Sequence, residues 1–244
     1  MLSDTPGVSG RIFHPARPTP RGYGAAVPTA DRPQPPNRAK PTPRAEPTPR
    51  AWALVSAVAA PVAMIGGWTL AAAVQDGFDP VRATISELAT AAVDRPGVMT
   101  AGLLVTGAAH LVTAAGSRGV PLPGRLLLAL GGAGTAAVGL LPVDRVPTAH
   151  AVAAGIAFGA LALWPAAAAR RRGARPLRPG VVLPTSAALL ALLGWFVVEL
   201  TGDGELVGLT ERLVAGAQSV APLALVVALR GRVLTARAGR QGLR

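Results

Sequence analysis

The sequence predicts an all-α fold, a polytopic membrane bundle of six transmembrane helices behind a disordered N-terminal tail. Three observations predict it. Half of the 244 residues are hydrophobic and only 15% are charged, with a mean hydropathy of +0.42, whereas a soluble domain carries about a quarter charged residues. The apolar residues gather into six runs, none alternating with period two, which disfavours a β-barrel. The 24 Lys and Arg residues fall in the gaps between those runs, which is how a chain in lipid distributes charge.

The net charge of +12 would otherwise suggest nucleic acid. The basic residues do not gather on one folded surface, and aromatics at 4% leave bases few stacking partners, so no nucleic-acid partner is expected. Cysteine is absent, which excludes disulfides, thiolate metal sites and a cysteine nucleophile. No cofactor is implied.

Residues 1–50 hold 12 of the 24 prolines, and Pro-Thr-Pro-Arg recurs at Pro18–Arg21, Pro41–Arg44 and Pro47–Arg50. Such a segment buries too little apolar surface to offset its ordering entropy, which predicts a disordered tail of polyproline character. No apolar stretch follows a short basic start, so a signal peptide is not expected. The tail's basic residues suit attraction to anionic lipid.

The six runs lie at Trp52–Val74, Val98–Ala115, Leu126–Leu141, Ala149–Ala169, Val181–Leu200 and Val207–Leu229. About 20 residues are needed to cross the bilayer; the third run is short and borrows from Val120–Arg125. A transmembrane domain over 51–230 and a basic tail over 231–244 follow. With six spans, 20 of the Lys and Arg residues fall on one side and four, Arg82, Arg95, Arg145 and Arg212, on the other. The positive-inside rule puts both termini in the cytoplasm. Trp52 and Trp164 then mark the inner boundary, Trp68 and Trp195 the outer. Gly131, Thr135 and Gly139 on span three, and Ala151, Gly155 and Gly159 on span four, are small residues at spacing four, and predict close packing of those two helices.

Four elements bring polar residues to the outer side. Asp79 suits an N-cap and Pro80 a first helical position, which predicts a short helix over 80–91 carrying Arg82, Ser86 and Glu87. The stretch Leu141–His150 carries Asp144 between two prolines and His150 in the first turn of span four. Glu199 follows an apolar run and should point inward towards a cation: Arg82, Arg212 or His150. Glu211 and Arg212 open span six. Ionisable groups in a span cost roughly 2.5–3.5 kcal/mol at its centre on insertion scales and usually face the bundle interior. The cluster therefore reads either as an ion-pair network pinning the 80–91 helix or as a ligand, proton or catalytic site beneath it.

Sharper versions use the same residues. Ser86 as nucleophile, His150 as base and Asp144 as orienter would form a hydrolytic triad, though no elbow motif surrounds Ser86. Asp144, His150 and Glu199 or Glu211 are chemically adequate for a metal, but no metal-ligand spacing supports one and none is expected. Glu199 and His150 could relay protons. His110 lies about 18 Å into span two at 1.5 Å per residue, apart from this cluster, and is expected to bond a nearby helix or loop group. Gln218 and Ser219 should make interhelical hydrogen bonds.

At Ile85–Leu88 (ISEL), Leu141–Asp144 (LPVD) with His150 beyond, and Gly208–Leu213 (GLTERL) before Gln218, the sequence resembles the bacterial membrane proteins grouped as domain of unknown function 998. The resemblance covers about residues 52–230. The family pattern has Phe-Pro-Thr-Asp and an aromatic before Glu-Arg, where this chain has Leu141, Val143 and Thr210. It implies six spans with outer-face motifs in a bacterial plasma membrane, and no particular reaction. The leading expectation is a membrane protein that binds or passes a small or lipidic ligand at the outer cluster. The alternatives are a membrane-embedded hydrolase acting on lipid through Ser86, Asp144 and His150 or a metal, and a structural or partner-binding subunit using the basic tail.

Overall fold

A computed structural model describes residues 48–241, with side chains through Arg232. The predicted disordered tail lies outside the described residues except for its last three. Six α-helices account for most of the described chain: α1 (Ala51–Ala73), α2 (Gly97–Gly116), α3 (Leu122–Leu140), α4 (Pro147–Ala167), α5 (Pro179–Thr201) and α6 (Val207–Gln241). The first five, and Val207–Arg232 of α6, are long and apolar enough to cross a membrane. The chain is a multi-pass membrane protein. The third span does begin early, at Leu122, where Pro121 and Pro123 set a helical start.

Each helix packs on the next, and α6 closes the ring against α1. The helices alternate in direction. At one end Arg50 N–H donates to Gly116 O, and Arg230 Nη1 to Pro49 O at 2.8 Å, joining the start of α1 to the end of α2 and to α6. At the other end the loops 74–96, 141–146 and 202–206 meet. All nine acids between residues 48 and 232 lie at this second end, here called the acidic face. Ten of the fourteen arginines in the same stretch lie at the first, the arginine face.

Two apolar clusters fill the interior. Met64, Leu88, Met99 and Leu103 belong to the one nearer the acidic face; Leu128, Trp164, Leu177 and Leu229 belong to the other. Trp164 is therefore a core residue, 2% exposed, and does not mark a membrane boundary. The α2–α3 crossing is a glycine contact: a Cβ on Gly132 would sit 2.7 Å from Gly107 O. Gly131 and Gly134 turn to α4, where a Cβ would meet Leu161 at 2.5 Å or Ala157 N at 2.9 Å. The predicted stripe on span four is on the wrong face. Gly155 is exposed, with nothing near its Cβ position, and Ala153, Ala157 and Leu161 pack instead. Both faces of α4 carry small residues at spacing four, and spacing alone cannot choose between them.

The predicted helix over 80–91 does not form. The segment is turns with one 3₁₀ turn at Glu87–Ala89. Asp79 does cap its start, Oδ1 accepting from Val81 N–H at 2.8 Å. Thr84 and Glu87 then form a capping box: the Glu87 carboxylate accepts from Thr84 N–H and hydroxyl, and Thr84 Oγ1 accepts from Glu87 N–H. The groups a continuous helix would use are claimed by α6. Val81 O accepts Leu209 N–H, Pro80 O and Ala83 O accept Arg212, and Ile85 N–H donates to Glu211.

Candidate functional site

Ser86 is delivered to the bundle mouth by the turn that Glu211 fixes. Ile85 N–H donates to Glu211 Oε2, and Ser86 Oγ lies 3.4 Å from Glu211 Oε1. Glu211 itself is 5% exposed, in the second turn of α6. His150 enters from the first turn of α4, and its Nε2 lies 3.0 Å from Ser86 Oγ. Its Nδ1 lies 2.7 Å from the carbonyl of Leu141. A carbonyl only accepts, so Nδ1 carries the proton and Nε2 presents a lone pair to the Ser86 hydroxyl. Ser86, His150 and Glu211 are thus brought together, across 64 residues of sequence for the first pair and 125 for Ser86 and Glu211.

The other cluster residues take different posts. Asp144 is not the orienter of His150; it is exposed and accepts from Ala91 N–H at 3.2 Å, tying two loops. The carbonyl of Leu141 holds the histidine in its place. Glu199 meets no cation. Its carboxylate accepts from Trp195 Nε1 at 3.3 Å and Leu206 N–H at 3.1 Å, closing the loop between α5 and α6. Glu87 closes the Thr84 capping box. Arg82 is exposed and pairs with Asp79 at 3.2 Å and Glu205 at 2.7 Å, and the Glu205 bond is the main reason its guanidinium pKa is raised. The Asp79 carboxyl is held below its ordinary value chiefly by the N–H of Val81.

Arg212 pins the loop without an ion pair. Its Nη1 donates among Pro80 O, Ala83 O and Gly208 O at 2.8–2.9 Å, and its guanidinium lies 5.6 Å from the Phe78 ring centre. The loop is held by the buried Glu211 and the half-buried Arg212 on backbone groups rather than by the expected ion-pair network. Such bonds contribute about 1.5–3 kcal/mol each when one partner is charged. Asp144, His150 and Glu199 do not converge, and among the described residues no three His, Asp or Glu side chains come close enough to hold a metal.

Below Ser86 and Glu211 lies a cavity of about 40 Å³. Its walls are apolar, with Leu103, Val138, Ala154 and Phe158 among them. His110 and Gln218 also line it. The depth assigned to His110 left it apart from the cluster, yet one void touches both. Neither of its ring nitrogens has a protein partner, contrary to expectation. Gln218 does bridge helices, Nε2 donating to Phe158 O at 2.9 Å; Ser219 bonds within its own helix, to Gly216 O. His110 and Gln218 carried a signal in the sequence as isolated polar residues in apolar runs. The Leu141 carbonyl carried none, because any residue supplies one.

The family model described as "Protein of unknown function (DUF998)" matches residues 57–228, and the chain belongs to this family. No curated protein and no solved structure matches it.

Proposed function

We propose that this DUF998 protein lies in a bacterial plasma membrane with both termini in the cytoplasm, and binds a small or lipidic ligand from the outer side. Ser86, His150 and Glu211 hold the ligand's polar head, and the apolar cavity takes the part next to it. The charge asymmetry supports the orientation, since ten of the fourteen arginines between residues 48 and 232 lie at the arginine face. A cysteine placed at Asp203 should react with an impermeant reagent from outside only; reaction from the cytoplasm alone would reverse the assignment.

The observation that carries the binding reading is Glu211, a buried carboxylate at the mouth of an apolar cavity. From the protein it accepts one N–H, that of Ile85, while the Ser86 oxygen lies 3.4 Å away with its one proton turned to His150, which leaves acceptor capacity for a ligand hydroxyl or amine. Mass spectrometry of the protein extracted from its native membrane should find a retained small molecule or lipid. Occupancy should fall about tenfold or more in Glu211→Gln, the loss of roughly 1.4 kcal/mol. Equal retention by the wild type, Glu211→Gln and His150→Ala would refute the reading.

One observation favours a second reading, a lipid hydrolase. His150 holds the tautomer a general base needs, with its lone pair on the Ser86 hydroxyl. A fluorophosphonate probe should then label Ser86, and labelling should disappear in His150→Ala. An unlabelled Ser86 in folded protein leaves the binding reading alone.

A further inference from the structure

The cavity has a deep end with its own chemistry. His110 on α2 and Gln218 on α6 are each 1% exposed and line it. Because the amide nitrogen of Gln218 is committed to Phe158 O, its Oε1 is turned away and has no protein partner. A neutral imidazole carries one N–H and one lone pair. Counting only atoms with no protein partner at all, this end presents one donor and two acceptors. Thr135, also in the wall, spends its hydroxyl on Gly131 O at 2.9 Å.

The dimensions suit water. Glu211 and Gln218 are two turns apart on α6, roughly 10 Å along the axis. Four hydrogen-bond steps of about 2.8 Å cover that distance and need three intervening oxygens. A volume of about 40 Å³ is room for roughly three waters at 10–15 Å³ each. The walls between the ends offer no competing bonds. Titratable groups facing the void are few: Glu211 from α6 and His110 from α2 line it, with His150 behind Ser86, while α1, α3 and α4 contribute no charged wall residue.

We propose that this cavity holds a file of about three waters that carries protons from Glu211 to His110, making His110 a proton-binding site inside the bundle, loaded from the acidic face. An excess proton enters at the Glu211 carboxylate. Each water takes one proton and releases another, and the free ring lone pair of His110 accepts the last, becoming imidazolium. That passage returns Glu211 to the carboxylate it began as, with Ser86 touching it on the mouth side and His150 touching Ser86. The net transfer is one proton from the acidic-face solution to His110. Among the described residues, a smaller void lined by Thr113 and Pro222 lies one turn beyond His110 and Gln218. A ligand seated in the cavity displaces the file, so occupancy and proton delivery exclude each other; the proton site itself does not depend on the ligand reading.

Full-length protein labelled with ¹⁵N-histidine in phosphatidylcholine bilayers tests this by solid-state NMR, with His110→Ala assigning the signal. Water magnetisation should reach the His110 ring as fast as it reaches His150. Glu211→Gln should slow exchange of the His110 ring proton at least about tenfold, and Ala154→Leu, which fills the void and spares both titratable groups, should remove the water contact. A His110 ring that receives nothing from water in folded wild-type protein would overturn the proposal. So would a ring exchange rate that neither variant changes.

Discussion

The two ends of the bundle use the same bond, arginine to backbone carbonyl, for different purposes. At the arginine face Arg125 donates from Nε to Ala114 O at 2.7 Å and from Nη2 to Ala115 O at 3.3 Å. Those carbonyls belong to the last turn of α2, where a helix has no partner of its own. At the acidic face Arg212 reaches carbonyls of a segment that is not a helix, and Glu211 beside it takes that segment's Ile85 N–H. One end caps helices that would form anyway. The other folds a loop into the mouth of a cavity and sets Ser86 there. The difference lies in what replaces the bond when it is lost: headgroups and water at the end of α2, nothing for the Ile85 N–H that the buried Glu211 takes.

Substitutions at the two ends test the distinction. Arg212→Ala should have the largest effect, destabilising the protein by about 3 kcal/mol, because one half-buried guanidinium donates to two loop carbonyls, Pro80 O and Ala83 O, and lies against the Phe78 ring. Thermal unfolding in detergent measures the loss, and proteolysis within 74–96 should rise with it. Glu211→Ala should cost about 2 kcal/mol, the penalty for an unpaired Ile85 N–H and a freed Ser86. The same truncation at Arg125 should cost under about 1 kcal/mol, since lipid headgroups and water reach the end of α2. An Arg125→Ala loss equal to that of Arg212→Ala would erase the distinction between capping and loop-building.

The contrast also explains what the sequence disclosed. Six spans were legible because length and hydropathy in lipid leave few alternatives, and the arginine asymmetry follows the same runs. Asp79 as a cap was legible because capping is local. The fate of residues 80–91 was not, because α6 took the hydrogen bonds a helix would have used, and Leu209, Glu211 and Arg212 lie more than 120 residues away. The Ser86–His150 pair was within reach as residue types. Its orienter was misassigned to Asp144, which sits near His150 in the chain but bonds Ala91 N–H in space. Glu199 was assigned a cation for a sound energetic reason, and found two N–H donors that supply part of the same stabilisation. For His110 the depth was readable and the void beside it was not, since this cavity is a property of five packed helices.

The smallest effect concerns the rim of the acidic face, where Arg82 ties Asp79 to Glu205 across two loops. The Asp79 carboxyl pKa is depressed below its ordinary 3.8, first by Val81 N–H and then by Arg82. A depressed folded-state pKa contributes stability above the unfolded value and loses it as pH falls through the folded one. The tie should therefore hold above about pH 4 and loosen only below it, with Arg82 charged throughout. All three side chains are largely exposed, so the change should be local and weakened by salt. A spin label at position 203 should report greater mobility of the 202–206 loop below pH 4, and Arg82→Gln should raise that mobility at every pH. A transition between pH 5 and 7 in the wild type would assign the coupling to a different group. The contacts of Glu211 and Arg212, rather than the rim ion pairs, would still hold the mouth, because the mobility change stops at the loop while Ser86 stays against His150.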